Sequence, residues 1–193
     1  MQPRLVLASR SPRRRELLAA ADYQFEVLSP PDDEVAHPWL TIRELTIWNA
    51  ARKAARVCKL APDAVVIAAD TLVTIDGDVL GKPTDMEDAV RMLARLSGRA
   101  HEVWTAVSIR HGAGAKSVGF EEMSRVHFRR LDQAAIRVYL AKIDPLDKAG
   151  AYAAQGHGTE IIERIDGSYS NVVGLPMEKT ARVLRAFGIE PTR

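Results

Sequence analysis

The sequence predicts an α/β or α+β fold built on a mixed sheet. Segments with apolar residues at alternate positions are interspersed with segments of helical periodicity, and no repeat or low-complexity tract interrupts them. Residues 65–69 form a continuous apolar run, which is typical of a buried central strand. The 193 residues, of which 47% are hydrophobic, suffice for one sizeable core or one domain with two lobes. We therefore expect residues 1–193 to form a single domain.

The first strand and the first helix are predicted at the N-terminus. Apolar residues 5–8 lead into a turn in which Ser11 suits an N-cap and Pro12 suits the first helical position. Free N–H groups at a helix start attract anions, and arginines 13–15 add three positive charges. Arginines oppose the helix dipole at this end, so the pattern favours a phosphate site over a purely stabilising role. A solvated basic helix face is the alternative.

The second helix is predicted to follow an extended segment and a loop. Residues 25–28 are extended in character, and the prolines and acids of residues 29–34 indicate a loop. Thr41 and Glu44 have the spacing of a capping box, which predicts a helix running to about Leu60.

The central strand is expected to end at a pair of polar residues, Asp70 and Thr71. Ligand sites in open α/β sheets lie outside the carboxyl ends of strands, so Asp70 is a candidate general base or metal ligand. The hairpin signal at residues 76–77 would place Lys82 opposite Thr71 and beside Asp70. A structural ion pair is the alternative interpretation of this acid and this cation.

Two strands and a third helix are predicted next. Thr84 and Glu87 indicate a capping box for a helix that Gly98 can close. Residues 101–109 and 118–128 have the alternation of strands.

The C-terminal third carries a loop with polar side chains among small residues. Asp132 suits the cap of a helix, after which residues 147–158 are rich in Gly and Ala but include Asp147, Lys148 and Gln155. Small residues permit close approach to a ligand, Lys can neutralise phosphate, and Gln can contact the edge of a base. The remaining predicted elements are a strand at residues 161–165, a turn at residues 166–167 and a helix ending near Gly188.

Composition favours a small anionic ligand over nucleic acid. The formal net charge is +2 with a sequence pI near 8.8, and acids and bases are interspersed outside the N-terminal arginines. The single cysteine, Cys58, cannot form an intramolecular disulfide and suits a helix in a reducing compartment. The chain lacks a membrane-span pattern and a signal-peptide pattern, and its histidines lack metal-ligand spacing. These features predict a cytoplasmic protein without a membrane partner.

Seven sequence blocks together resemble the Maf family of nucleoside triphosphate pyrophosphatases, and they cover nearly the whole chain in the family order. The blocks are residues 7–18, Asn49-Ala50 with Lys53-Ala54, Ala69-Asp70-Thr71, Gly81-Lys82-Pro83, Leu96-Ser97-Gly98-Arg99, Asp147-Lys148-Ala149-Gly150 and Asn171-Val172-Val173-Gly174-Leu175-Pro176. The resemblance implies a two-lobed fold similar to the inosine triphosphate pyrophosphatases, with a central cleft. It also implies dependence on a divalent metal, Mg or Mn, and a homodimer.

Three positions are similar to the family branch that acts on dTTP and UTP. In that branch Arg follows the Ser-Pro, Thr follows the Asp and Gln lies in the Ala/Gly-rich loop, which here are Arg13, Thr71 and Gln155. The branch that acts on 7-methyl-GTP has Gln after the Asp and an acid in the loop. The resemblance therefore implies a pyrimidine triphosphate as substrate, with CTP or a modified pyrimidine as further possibilities.

The chemistry of the reaction suggests a role for each candidate residue. Asp70 is assigned as general base or metal-bound carboxylate, and Glu34 resembles the second carboxylate that shares the metal. The expected ligands of the triphosphate and its surroundings are Ser9, Arg13, Arg14, Lys53, Lys82, Asp147 and Lys148.

Two other classes of function stay open at this point. A nucleic-acid-binding or cell-division regulatory module could use the same arginines, but it should carry a continuous basic track, and the sequence has one local cluster. A P-loop ATPase is excluded because no Gly-x-x-x-x-Gly-Lys-Ser/Thr run occurs.

Overall fold

The computed structural model describes residues 2–29, 39–112, 114 and 116–192. The strands in these residues are β1 (Arg4–Leu7), β2 (Glu26–Val27), β3 (Ala64–Ile75), β4 (Asp78–Leu80), β5 (Ala100–His111), β6 (Ser117–Phe128) and β7 (Ile162–Asp166). The helices are α1 (Pro12–Ala20), α2 (Ile42–Leu60), α3 (Met86–Leu96), α4 (Gln133–Leu140), α5 (Gly158–Ile161), α6 (Tyr169–Val173) and α7 (Met177–Ala186), with a short 3₁₀ turn at Ala149–Ala151.

Across the described residues the strands form one mixed sheet of seven strands. The order is β2-β1-β3-β5-β6-β7, and β4 pairs with β3 outside this path. Strand β1 is parallel to both β2 and β3, whereas β4 is antiparallel to β3 and β7 is antiparallel to β6. Parallel and antiparallel pairs in one sheet, with helices between the strands, confirm the predicted fold class.

The chain divides into two compact units, each with its own core. The first unit consists of Met1–Asp70, Thr105–Glu122 and Gly174–Arg193, and the second consists of Thr71–Trp104 and Met123–Val173. Two apolar clusters fill the first unit and a third fills the second. The two units agree with the expected two lobes. The single domain and the central cleft stay predictions.

Strand β3 places its side chains on two different apolar clusters of the first unit. Its odd-numbered residues 65–69 pack with residues of α1 and α7, whereas Val66 and Ala68 pack with residues of α2. Because side chains alternate along a strand, Asp70 follows Ala68 on the face that α2 covers. The alternation of this strand thus decides which helix the carboxylate meets.

Three of the predicted helix caps are confirmed, one of them Asp132 of α4, whose carboxylate accepts from the Ala135 N–H at 2.8 Å. Ser11 is the N-cap of α1 with Pro12 at the first helical position. Thr41 caps α2 in a reciprocal capping box, in which the Thr41 N–H donates to a Glu44 carboxylate oxygen at 2.8 Å. Helix α2 ends at Leu60 as predicted, and Cys58 is buried near that end.

The predicted cap of α3 is wrong by one residue. Asp85, not Thr84, is the N-cap, and its carboxylate accepts from the Asp88 N–H at 2.7 Å. Asp88 in turn accepts from the Thr84 N–H at 3.0 Å, while Glu87 pairs with Arg137 on α4. A short Asp one position along the chain reaches the free amides and displaces the predicted Thr-Glu pair.

The predicted hairpin is confirmed, but its ladder is shorter than expected. Ile75 lies opposite Asp78, and pairing ends with Val73 opposite Leu80. Strand β3 also continues beyond Asp70 as far as Ile75, so the strand does not stop where the sequence predicted. Lys82 lies beyond the paired residues, so its predicted place opposite Thr71 in the ladder is wrong, and its ammonium pairs with Asp147.

Helices of the described residues are all too short or too polar to cross a membrane.

Candidate active site

A buried carboxylate, Asp70, is held by two side chains of α2. The residue is only 3% exposed. The Lys53 ammonium lies 2.7 Å from its Oδ1 atom, and the Asn49 amide Nδ2 donates to its Oδ2 atom at 3.3 Å. Both oxygens of the carboxylate therefore have a partner from the same helix.

The periodicity of α2 explains why these two side chains meet Asp70. Ala54 packs in one apolar cluster with Val66 and Ala68 of β3, and its small size lets the helix lie close to the sheet. Asn49 and Lys53 are four residues apart, so they lie one above the other along the helix. The two-residue alternation of side chains along β3 and the 3.6-residue repeat of α2 thus bring Asn49 and Lys53 to the Asp70 carboxylate.

Asn49 leaves one buried polar atom beside Asp70 without a hydrogen-bond partner among the described residues. Its Oδ1 atom is buried and accepts no hydrogen bond from any residue that the structure describes. An amide oxygen next to a carboxylate is a donor set that suits a hard cation such as Mg²⁺ or Mn²⁺. Mg²⁺ is commonly held by one or two carboxylates together with substrate phosphates. Asp70 and its surroundings therefore fit such an ion.

The second predicted carboxylate cannot be compared with this arrangement, because Glu34 lies outside the described residues. Within the described ranges, no cluster of three or more His, Cys, Asp or Glu side chains could hold a metal by itself. Asp70 is thus the carboxylate around which the described part of the site is organised.

The turn before α1 holds an arginine against a serine. The Ser9 hydroxyl oxygen accepts from the Ser11 N–H and from Arg14 Nη1, both at 3.2 Å. Arg14 Nε also donates to the Gly174 carbonyl oxygen at 2.8 Å, which fixes the guanidinium at the helix start. Arg13 is half-buried in the same first turn. Positive charge is therefore concentrated at amides that already favour an anion.

Parallel strands place this turn and Asp70 at the same edge of the sheet. Leu7 is in register with Ile67, and the Ala8 N–H donates to the Ile67 carbonyl at 2.7 Å. Ser9 comes two residues after Leu7, and Asp70 comes three residues after Ile67. Both therefore lie beyond the paired part of β1, where binding sites of parallel sheets occur.

In the second unit, two other predicted residues form an ion pair. Lys82 Nζ lies 2.9 Å from Asp147 Oδ1, and both side chains are about half exposed. Their loops are joined by a backbone hydrogen bond in which the Gly150 N–H donates to the Gly81 carbonyl at 3.0 Å. A positive φ of 71° at Gly150 allows this close approach.

Two tyrosines fix the loop that carries the predicted Gln155. The Tyr139 hydroxyl accepts from the Ala153 N–H at 3.0 Å, and the Tyr169 hydroxyl donates to the Ala154 carbonyl at 3.4 Å. Gln155 is half-buried directly after these anchors. Its position is therefore set by contacts to the preceding backbone.

A comparison with known protein families identifies the chain. The family model described as Maf-like protein matches residues 4–187. The chain belongs to the Maf family. A dTTP/UTP pyrophosphatase of Anaeromyxobacter dehalogenans is 48% identical to this Maf chain over 190 residues, which cover 97% of this chain and 96% of that protein.

Further Maf relatives match at similar levels. The dTTP/UTP pyrophosphatase of Bacillus velezensis is 44% identical over 190 residues, covering 98% of this chain and all of that protein. That of Methylococcus capsulatus is 47% identical over 194 residues, covering 98% of this chain and 94% of that protein. A solved structure, that of the Staphylococcus aureus Ham1 protein, matches 65% of this chain and 71% of that chain with a TM-score of 0.43 and 15% identity.

The predicted site residues of this Maf protein fall into two groups by unit. The first unit contains Ser9, Arg13, Arg14, Lys53 and Asp70. The second contains Thr71, Lys82, Asp147, Lys148 and Gln155. Within the first group the structure joins Lys53 to Asp70 and Arg14 to Ser9, and within the second it joins Lys82 to Asp147.

Sequence reasoning gave no role to two Maf residues that contact this machinery. Asn49 shares a helix face with Lys53, and that spacing of four was the available signal. Gly174 contributes a backbone carbonyl to Arg14, so only its position in a family block could have indicated it. Every residue has a backbone carbonyl, so the residue type does not indicate such a contact.

A buried histidine lies in the core of the second unit of this Maf protein. His101 Nε2 is 2.8 Å from the Tyr152 hydroxyl, and both rings pack edge-to-face on Phe128. Burial lowers the pKa of His101 from 6.5 to about 4, and burial also raises the pKa of Tyr152. This histidine is a neutral core residue.

Proposed function

We propose that this Maf protein hydrolyses dTTP and UTP to the nucleoside monophosphate and pyrophosphate, as an enzyme that removes unwanted nucleotides. Relatives named dTTP/UTP pyrophosphatase, 44–48% identical over nearly the full length, support the substrate class. The observation that carries the chemistry is the buried Asp70, paired with Lys53 at 2.7 Å beyond the last residue of β3 that pairs with β1.

Asp70 is proposed to accept a proton from the attacking water. The water oxygen bonds to the α phosphorus, the bond from that phosphorus to the bridging oxygen breaks, and pyrophosphate leaves with the bond electrons. Lys53 holds the carboxylate in place, because a buried ion pair with good geometry fixes the orientation of both partners. Solvent is largely excluded from Asp70, which strengthens each of these electrostatic contacts.

Asp70 and Glu34 are proposed to hold a divalent metal, Mg or Mn. When bound, such an ion lowers the pKa of its water and neutralises charge on phosphate oxygens. The buried polar surroundings of Asp70 support an oxygen-rich site of this kind, in which the Asn49 Oδ1 atom contacts a water rather than the ion.

The triphosphate is proposed to bind through the turn before α1 and through further charged side chains. Arg13 and Arg14 supply forked donors, and Ser9 supplies a hydroxyl beside free helix amides. Additional charges of the substrate-binding set come from Lys53, Lys82, Asp147 and Lys148. The support for this set is the concentration of cations at a helix N-terminus and near a glycine-containing turn.

Substrate choice is proposed to rest on Arg13, Thr71 and Gln155. A neutral amide both donates and accepts, which matches the alternating donor and acceptor edge of a uracil or thymine base. We further propose that the protein acts in the cytoplasm as a single-domain homodimer, without nucleic-acid or membrane partners.

The test is a product analysis with purified protein, Mg²⁺ or Mn²⁺, and dTTP, UTP, GTP or 7-methyl-GTP in separate reactions. Monophosphate plus pyrophosphate from dTTP and UTP is the expected result. The variant Asp70→Asn should abolish turnover with little loss of nucleotide binding, since it retains the size and removes the base.

Each other outcome contradicts a different part of the proposal. Turnover of 7-methyl-GTP alone keeps the enzyme class but contradicts the roles of Arg13, Thr71 and Gln155. Release of orthophosphate and a diphosphate means that a different bond is cut. No turnover of any triphosphate contradicts the enzyme and favours a binding module, which a steep salt dependence of nucleic-acid binding would support.

A further inference from the structure

One amide of α2 is suited to orient both partners of the proton transfer. We infer that Asn49 is a positioning residue, whose Nδ2 holds the Asp70 carboxylate and whose Oδ1 accepts a hydrogen bond from the attacking water. The inference rests on the proposed function, because it requires Asp70 to act on a water molecule.

The geometry assigns the two ends of the amide different tasks. Nδ2 donates to Asp70 Oδ2 at 3.3 Å, while Lys53 occupies the other carboxylate oxygen at 2.7 Å. The carboxylate is thus restrained at both oxygens, at Oδ1 by Lys53 and at Oδ2 by Asn49. A general base restrained in this way is already oriented before the reaction, so it does not need to move during proton transfer.

The unsatisfied end of the amide indicates a ligand that the described residues do not provide. Asn49 is 5% exposed, and its Oδ1 atom accepts from no side chain or backbone group in the described residues. Leaving a buried acceptor unsatisfied costs about 1–3 kcal/mol, so native structures usually satisfy such atoms with protein or water. A water between Asn49 Oδ1 and Asp70 would satisfy the acceptor and present its oxygen to the substrate.

Helix packing alone does not require an amide at this position. Thr46, one turn earlier on the same buried stripe, is 2% exposed and satisfies its hydroxyl on the Ile42 carbonyl of its own helix. Asn49 instead directs its donor away from the helix to the sheet. Thr46→Val is therefore a matched control that removes a buried polar atom from α2 without touching Asp70.

The test measures kcat and KM for dTTP in the Mg²⁺-loaded wild type and in Asn49→Leu, Asn49→Asp and Thr46→Val. Binding of α,β-imido-dUTP, which resists cleavage at the reacting bond, is measured in parallel. Asn49→Leu removes both hydrogen bonds at similar size, and we expect kcat to fall about 10- to 100-fold. The KM and the Kd of the analogue should change by less than about threefold, because the lost contacts act in the transition state.

The second variant keeps the test informative if Asn49→Leu folds poorly. Asn49→Asp preserves size and an acceptor oxygen but loses the donor to Asp70, so its kcat should also fall at least about tenfold. Thr46→Val should retain kcat within about twofold. Its melting temperature should be no higher than that of a folded Asn49 variant, so that the control is at least as destabilised.

Several outcomes would overturn the inference. Wild-type kcat in a folded Asn49 variant contradicts the positioning role while leaving the proposed function intact. Weaker analogue binding with unchanged kcat makes Asn49 a binding contact, and an equal kcat loss in Thr46→Val makes it a packing residue. Absence of wild-type turnover of any triphosphate overturns the proposed function and this inference with it.

Discussion

Lys53 and Asp70 form an ion pair that is largely removed from water. The side chains are 17% and 5% exposed, and their charged atoms are 2.7 Å apart. Burial of either charge alone is costly, and each ion offsets that cost for the other. Replacing one partner of this pair should therefore cost more free energy of unfolding than the same replacement in an exposed ion pair of equal length.

Replacing the cation alone should destabilise the fold strongly. Lys53→Met leaves the Asp70 carboxylate buried without its ion-pair partner, and we expect a loss of about 3–5 kcal/mol in the free energy of unfolding. Urea unfolding at neutral pH measures it. Lys59→Met, at an exposed position near the end of the same helix, is the matched control and should cost less than about 1 kcal/mol. Equal losses in the two variants would contradict the buried-charge argument.

His101 should make stability depend on pH between its ordinary and its folded pKa. The folded value is about 4 against 6.5 for the unfolded chain, so the unfolded state binds more protons between these values. The contribution is fully present above pH 6.5 and is lost as the pH falls towards 4. Between pH 6.5 and 5 we expect a loss on the order of 1–2 kcal/mol, measured by urea unfolding.

The variant His101→Gln identifies the group responsible. A glutamine can still hydrogen-bond the Tyr152 hydroxyl but cannot titrate, so the decline between pH 6.5 and 5 should become smaller. Carboxylates with lowered pKa values, such as Asp76 and Asp166, lose their contribution below pH 4, outside this window. An unchanged decline in the variant would show that another group causes it.

Helix α2 connects the local signals of the sequence to the proposed site. Its capping box fixes where the helix begins, and its apolar stripe fixes which face packs on β3. Together these decide the rotation of the helix, which brings Asn49 and Lys53 to Asp70. A local capping motif thus supports the position of the chemistry two turns away.

Removing the cap should destabilise the helix without changing the chemistry. Thr41→Ala removes the acceptor of the Glu44 N–H, and we expect a loss of about 1 kcal/mol in the free energy of unfolding. The kcat for dTTP should stay unchanged, because Thr41 does not contact Asp70, Asn49 or Lys53. Glu44→Gln preserves the box and should cost less than Thr41→Ala. A lower kcat in folded Thr41→Ala would contradict this separation.

Neither compact unit is a continuous piece of chain. The first unit takes its core from three segments, and its last segment begins at Gly174. Leu175, Leu184 and Ile189 from that segment are each 0% exposed in the core shared with β1 and β3. The N-terminal strands therefore depend on residues supplied more than one hundred positions later.

Deleting residues 174–193 should unfold the first unit. Loss of a single buried aliphatic side chain costs about 2–5 kcal/mol, and three such side chains exceed the stability of many domains. Hydrogen exchange of the β1 amides, compared with the intact chain, measures the effect. Deleting residues 191–193 alone removes no side chain of this core and is the matched control. Protected β1 amides in the longer deletion would contradict the prediction.

Much of the architecture was predictable because its causes are local. Ser11 and Pro12 determine the start of α1, and the Asp76-Gly77 turn determines that Ile75 lies opposite Asp78. The predictions failed where two residues compete to cap one helix and where strand pairing had to be extrapolated beyond the residues next to the turn. Asp85 displaced Thr84 as a cap, and strand pairing ends at Leu80 before it reaches Lys82.

The mixed sheet follows from local patterns of the sequence, as do the basic turn before α1 and the choice of Asp70 as the proposed central acid. Periodicity, capping and turn chemistry act over a few residues, so they can be recognised in a single chain. Only the packing of the folded chain shows that Lys53 and Asn49 hold Asp70, and that Gly174 holds Arg14. These partners lie 17, 21 and 160 residues apart, and no local rule relates positions that only the packing of helices on the sheet brings together.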